Sequence, residues 1–154
     1  MSITALTTFI EITDSAGRVK GRYQNSGGTI RYLNANYSYL SFFYQGAAKS
    51  RTGDNLEAAL VMSNNALSSG IAVQAVNGRY RVRCDTCLMN PRNFAFVRRL
   101  TREYWVASSM TYDDTNLEIL LSSSIDAVGA NAPTRTLTAQ VAGPLPVTGA
   151  IQNL

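Results

Sequence analysis

The two cysteines of the chain lie close together, with the spacing of a possible metal or redox motif. Cys84 and Cys87 form the sequence CDTC. A structural zinc site typically needs two such pairs, and a thioredoxin-like motif opens a helix, whereas this pair continues a strand pattern. Positions three apart on a strand face opposite sides of the sheet. We therefore predict reduced packing thiols, and we keep a redox site or a metal shared between molecules as alternatives.

The chain contains no histidine, which removes the commonest general base and the commonest zinc ligand. The carboxylates Asp113, Asp114 and Glu118 lie around a predicted hairpin turn, where aspartate is favoured because it hydrogen-bonds the backbone. The glycines do not form a phosphate-binding pattern before a helix. The sequence therefore predicts no catalytic residue, no cofactor and no metal site, and we expect that the protein is not an enzyme.

Arginines are concentrated in one interval of the chain. Half of the 14 basic residues lie between Arg79 and Arg102, where Asp85 is the only acid. Interleaved aromatic residues could stack bases while arginines neutralise phosphates, but no single-strand-binding motif is present, and arginine is also enriched at protein interfaces. We favour a protein interface over an ordinary surface or a nucleic-acid site. The interface candidates are Arg79, Arg81, Arg83, Arg98, Arg99 and Arg102.

Length and composition predict a single soluble domain. The chain has 154 residues, 45% hydrophobic and 16% charged, with a net charge of +4. A charged share below the usual ~25% is typical of a β-rich protein with much covered surface. No apolar run approaches the ~20 residues that cross a bilayer, and the amino terminus lacks the basic region of a signal peptide. We therefore expect no membrane partner and no processing.

Short strands separated by turn residues indicate the fold. LTTFIEIT and VKGRYQ flank the turn DSAGR, and EYWVASSMTY and LEILLSSSI flank DDTN. NYSYLSFFYQG suits one strand with an aromatic core face, NLEAALVMS another, and TLTAQV a last short one. IAVQAV and RYRVRCDTCLM flank Asn77-Gly78, a strong hairpin signal, so that Arg79, Arg81 and Arg83 would point to water or to a partner.

One short helix is predicted over Asn65 to Ser69, with Asn64 as N-cap and Gly70 as the stop. The fold class is therefore all-β, an antiparallel sandwich or barrel with one short helix. We place a single β domain at residues 1–142 and an extended arm at residues 143–154.

The arm is predicted to dock on an adjacent subunit or partner, and a disordered end is the alternative. Its prolines remove backbone donors, so the arm cannot form a central strand. Its few apolar residues cannot bury enough surface to order it alone. The interface candidates in the arm are Pro144, Leu145, Pro146, Val147, Ile151 and Leu154.

Two stretches carry a family resemblance. YSYLSFFYQGAAKSRTGDNLEAALVMSNNAL resembles the segment of lambda-type minor tail protein L in which a strand with paired tyrosines leads through a glycine-containing linker to an apolar strand and a short helix. LEILLSSSIDAVGANAPTRTLT is similar to that family's strand, polar loop and Pro-x-Arg element, here Pro133 to Arg135. The family continues into a cysteine-rich iron–sulfur domain, which this chain replaces with AQVAGPLPVTGAIQNL. Cys84 and Cys87 are therefore not carried over as cluster ligands.

The resemblance implies a structural component of a bacteriophage tail tip or baseplate, made in the host cytoplasm and located in the virion. Its role would be that of a hub or adaptor, with a tube or distal ring protein and a central tip protein as partners. It implies a homo-oligomer, for which we prefer a trimer over a hexameric ring. The alternative from the residues is a small nucleic-acid-binding β-barrel protein, with nucleic acid the less favoured partner.

Overall fold

The computed structural model describes residues 3–46 and 57–123, which form nine strands and one helix. The elements follow one another as β1 (Ala5–Thr13), β2 (Val19–Gln24), β3 (Thr29–Tyr32), β4 (Ala35–Tyr39), β5 (Phe42–Gln45), β6 (Glu57–Ser63), α1 (Ala66–Asn77), β7 (Arg81–Met89), β8 (Phe96–Tyr112) and β9 (Asn116–Ser122). The predicted all-β class, with a single helix among the described residues, is confirmed.

All nine strands belong to one curled sheet with the order β3-β4-β2-β1-β7-β8-β9-β6-β5. Its pairs are antiparallel except β2 with β4, which is parallel. β4 and β5 are neighbours in sequence but lie near opposite ends of this order. Only Leu40 and Ser41 join them, and the Leu40 amide donates to the Gln24 carbonyl at 2.9 Å. The sheet therefore curls back toward itself, although its described strands do not close into a full barrel.

The two faces of the sheet carry separate apolar clusters. The larger cluster fills the inside of the curl with side chains such as Ile10, Leu60 and Trp105, and α1 contributes Ala72 and Ala75. Small residues at spacing three on one helix face allow the helix to approach the sheet closely. The cluster thus lies between the strands and α1, and it supplies most of the apolar burial that stabilises the described residues.

The smaller cluster lies on the other face, where the β3–β4 hairpin folds over β1 and β7. The ring of Phe9 stacks on Tyr32 with centroids 4.3 Å apart and meets Tyr37 edge-on at 5.2 Å. Cys87 and Met89 of β7 complete the contact. This hairpin is therefore held by aromatic packing as well as by its short pairing with β2.

The predicted helix bounds and the strand that should follow were wrong. Asn65, not Asn64, is the N-cap: its side chain accepts from the Ser68 amide, and the Ser68 hydroxyl accepts from the Asn65 amide. The helix continues through Gly70 to Asn77, so IAVQAV is helical. Packing of Ala72 and Ala75 outweighs the ~1 kcal/mol that an interior glycine costs.

The predicted hairpin at Asn77-Gly78 is the end of this helix. Gly78 lies in the right-handed region at φ −85°, and its amide donates to Gln74. Arg79 takes the positive φ of 47° instead. The strand predicted over NYSYLSFFYQG was also wrong, because the chain crosses from β4 to β5 within it, and Phe43 is exposed while Phe42 is buried. The two hairpins at DSAGR and DDTN and the strand at Glu57–Ser63 are confirmed.

Candidate protein interface

A fully buried carboxylate organises the base of the β7–β8 hairpin. Asp85 of β7 accepts two hydrogen bonds from Arg102 of β8, from Nε at 2.8 Å and from the terminal nitrogen at 2.9 Å. The Tyr32 hydroxyl donates to the same carboxylate at 2.9 Å. Burial alone would raise the pKa of Asp85, but the hydrogen bonds from Arg102 and Tyr32 outweigh it and hold the pKa below its ordinary value. Asp85 is therefore ionised in the folded protein at neutral pH.

Charges of alternating sign continue from this carboxylate across the neighbouring strands. Arg83 lies with Nε 3.3 Å from Asp85 and donates to Glu11 at 3.2 Å and to the Tyr37 hydroxyl at 2.8 Å. Glu11 also accepts from Arg22 of β2 at 2.8 Å. β2, β1, β7 and β8 are thereby linked through side chains on the face that the β3–β4 hairpin covers.

This network corrects the predicted orientation of two arginines. Arg83 was expected to face water or a partner, and Arg102 was an interface candidate, but their side chains are only 18% and 26% exposed and form internal ion pairs. Sequence reasoning named Asp85 only as the lone acid among arginines. The sequence signal for this network was a single acid among several arginines. An acidic side chain can be buried when neighbouring arginines neutralise its charge.

The other arginines lie toward the two ends of the hairpin. Arg79 and Arg81 are exposed at its base, and Arg98 and Arg99 are exposed at its far end. The turn at this end is shaped by side chains: Asn90 accepts from the Arg92 amide at 2.9 Å, and Phe94 takes a positive φ of 53°. All residues from 91 to 101 are exposed, so the far end projects from the sheet.

We call this far end the basic end. It combines four exposed arginines with exposed apolar side chains, namely Arg31, Arg92, Arg98, Arg99, Leu6, Phe96, Val97 and Leu100. A groove of about 360 Å³ lies on it, lined by Arg31, Tyr32, Leu33, Phe96 and Arg99. Residues 86–102 contain no aspartate or glutamate. The basic end therefore has the apolar and arginine composition of a protein interface.

Backbone amide and carbonyl groups at the basic end are also available for strand pairing. β8 pairs with β7 from Phe96 to Val106, but with β9 only from Val106 to Tyr112. No described strand covers the second edge of β8 between Phe96 and Trp105. An open edge of this kind presents amide and carbonyl groups to which another strand can add.

The opposite end of β8 carries the reverse charge, and we call it the acidic end. It comprises Asp113, Asp114 and Glu118 together with the exposed aromatic residues Phe43 and Tyr112. A groove of about 450 Å³ lies on it, lined by Val61, Thr111, Tyr112, Asp113, Asn116 and Glu118. Hydrogen bonds from the Asn116 and Thr115 amides lower the pKa of Asp113, as expected for a capped turn. Sequence reasoning had placed these three carboxylates around the turn but not the aromatic side chains beside them, because Phe43 reaches the acidic end only through the pairing of β5 with β6.

The cysteines occupy different clusters on opposite faces of β7. Cys84 lies in the larger cluster and Cys87 in the smaller, and both are fully buried. Burial raises the pKa of both thiols. The predicted opposite facing is confirmed. In this arrangement the two sulfurs cannot share one metal ion, and the described residues hold no group of three or more histidine, cysteine or acidic side chains that could bind one.

Some of the predicted candidates lie outside the described residues. These are the arm candidates Pro144, Leu145, Pro146, Val147, Ile151 and Leu154, and also the predicted strand TLTAQV. Within the described part of the chain, no helix is long and apolar enough to cross a membrane.

The described residues thus define an all-β domain built on one curled, mixed sheet with a single helix. No protein-family model matches the chain, and no curated protein is similar to it in sequence. Among solved structures, the fold is similar to that of a chain in the virion of a native gene transfer agent particle, with a TM-score of 0.57 over 90% of this chain and 11% identity. This chain spans 45% of the length of that virion chain. At this identity the similarity concerns the fold.

Proposed function

We propose that the protein is a structural component of a phage-like virion, a hub or adaptor of the tail tip or baseplate that acts as a homo-oligomer. The fold similarity to a gene transfer agent virion chain carries the proposal, because it extends over 90% of this chain. The resemblance to lambda-type minor tail protein L supports the tail tip as the location. A tube or distal ring protein and a central tip protein are the proposed partners, and a trimer is preferred over a hexameric ring.

The two ends of β8 suit such a role. A protein that joins others needs exposed apolar groups beside charged ones. The basic end supplies Phe96, Val97 and Leu100 next to Arg98 and Arg99. In addition, the open edge of β8 can extend the sheet into a partner. None of these features requires a reactive side chain.

Quantitative mass spectrometry of purified particles tests the proposal. Particles produced from the genome that encodes this chain are banded by density, and the copy number of the protein is measured against another tail protein. We expect a small copy number that is a multiple of three, with loss of the tail tip in particles made without the gene. Absence of the protein from banded particles would refute the virion role.

A truncation tests the predicted arm within the same assay. Deleting residues 143–154 should leave the purified domain folded with an almost unchanged thermal midpoint, because the arm has few apolar residues. Incorporation into particles should fall. A truncated protein that is incorporated like the full chain would show that the arm does not dock.

Nucleic acid binding is the second candidate, and the groove at the basic end is the observation that favours it. Arg31, Arg99 and the half-exposed ring of Phe96 lie around this groove and could hold a phosphate and a base. Two arginines counted in the sequence do not contribute, because Arg83 and Arg102 neutralise Asp85. Binding to a single strand that falls steeply with salt and is lost in Arg99→Ala would favour this candidate. No binding at low salt would remove it.

A further inference from the structure

Charge is segregated along the length of the sheet. The basic end carries Arg31, Arg92, Arg98 and Arg99, and residues 86–102 contain no acid. The acidic end carries Asp113, Asp114 and Glu118, and the segments 57–78 and 107–123 contain no lysine or arginine. Each subunit is therefore positive at one end and negative at the other, although its net charge is small.

The two ends are far apart on one rigid strand. β8 runs from the basic end to the acidic end, and Arg98 precedes Tyr112 by fourteen residues. At about 3.3 Å per residue this separation is about 45 Å. Charges at that distance are screened from each other at physiological salt, where the Debye length is about 8 Å. The ends cannot neutralise each other within one subunit, so they are available to other molecules.

We propose that a second copy of this chain is the partner of each end, and that the basic end of one subunit docks on the acidic end of the next. Arg99 would enter the groove lined by Tyr112, Asp113 and Glu118, and Arg98, on the other face of the strand, would face the carboxylates at its rim. Exposed apolar side chains on both sides, Phe96 and Val97 on one and Phe43 and Tyr112 on the other, would cover the ion pairs and exclude water.

Symmetry distinguishes this contact from other self-association. A two-fold contact centred on one end buries the same patch of both copies, so it would place arginine against arginine or carboxylate against carboxylate. An antiparallel two-fold contact that covers both ends would pair opposite charges but would stop at a dimer. A head-to-tail contact places opposite charges together and repeats at every subunit, which closes into a ring when the rotation allows. The inference rests on the homo-oligomeric role proposed above and specifies its subunit contact.

Two charge-reversed variants and their mixture test the contact. Arg98→Glu with Arg99→Glu gives a subunit with two acidic ends, and Asp114→Arg with Glu118→Arg gives a subunit with two basic ends. We expect each variant alone to self-associate about tenfold more weakly or worse, because like charges would meet. In an equimolar mixture the two variants should associate again, since every contact between unlike subunits pairs opposite charges. A closed ring of alternating variants then contains an even number of subunits. Sedimentation velocity of the full-length chain measures all three samples.

The matched control is Arg81→Glu compared with Arg98→Glu. Both arginines are exposed on strands of the same hairpin, but Arg81 lies at its base. Arg81→Glu should associate like the wild type, and circular dichroism should show all variants folded, since the changed side chains are exposed.

Three results would overturn the contact. They are a wild-type chain that stays monomeric at its highest soluble concentration, reversed variants that associate normally, and a mixture that stays dissociated. If the protein is nevertheless found in banded particles, the virion role stands and only this contact fails.

Discussion

Replacing Asp85 by asparagine should destabilise the fold more than any comparable change on the surface. The substitution keeps the size of the side chain but removes the negative charge that Arg102 and Arg83 face at 2.8 and 3.3 Å. Removing one partner of a buried ion pair costs about 3–5 kcal/mol, because the remaining charge is left uncompensated. Water reaches both arginines in part, so we expect a loss of about 2–3 kcal/mol in the free energy of unfolding.

Thermal and urea unfolding followed by circular dichroism measure this loss. For a domain of this size, each kcal/mol of lost stability lowers the thermal midpoint by about 2–4 °C, so the midpoint should fall by about 4–12 °C. Asp114→Asn is the matched control, since Asp114 is exposed in the β8–β9 turn, and it should stay within about 0.5 kcal/mol of the wild type. Arg102→Met should cost less in the Asp85→Asn background than in the wild type. Equal stability of Asp85→Asn and Asp114→Asn would refute the network.

Three further predictions concern pH, the thiols and the helix. The pKa of Asp85 is lowered in the folded protein, so its stabilisation is fully present above the ordinary aspartate value of 3.8 and is lost as the pH falls through the folded pKa. The stability difference between the wild type and Asp85→Asn should therefore shrink in acid unfolding titrations, and a constant difference would contradict this. The thiols of Cys84 and Cys87 should resist iodoacetamide until the chain unfolds, because they are buried and burial raises their pKa. Rapid labelling of the native protein would contradict their burial. Gly70→Ala should raise the stability by about 0.5–1 kcal/mol, since the site is inside α1 and nothing lies within 4 Å of an added Cβ; a destabilised variant would argue against the helix bounds.

The sequence predicted strands and turns better than it predicted the helix. Alternation and turn residues identified both confirmed hairpins, because these signals are local. The helix was predicted too short because Gly70 and Asn77-Gly78 have strong local preferences for a stop and a turn. Tertiary packing of Ala72 and Ala75 against the sheet overrides them, and this burial cannot be read from a window of neighbouring residues.

The facing of the arginines could not be predicted because β8 has two irregularities. Its pairing with β7 shifts between Thr86 and Cys87 and again between Leu88 and Met89. As a result Arg99 lies opposite Cys87 and Arg102 opposite Asp85, although a regular strand would place these two arginines on different faces. Only the pairing partner reveals which arginine meets the buried acid.

The arginines that form internal ion pairs and the exposed arginines of the basic end lie in different parts of the hairpin. Stability and assembly can therefore be tested independently. Near its base the hairpin uses Arg83 and Arg102 to neutralise carboxylates inside the domain, so changing them should lower the unfolding free energy first. At its far end no carboxylate lies between residues 86 and 102, and Arg98 and Arg99 are exposed. Changing those should leave the thermal midpoint near the wild-type value and alter only association. A variant of Arg98 that unfolds the domain, or a variant of Arg102 that disrupts association without loss of stability, would show that the two groups are not distinct.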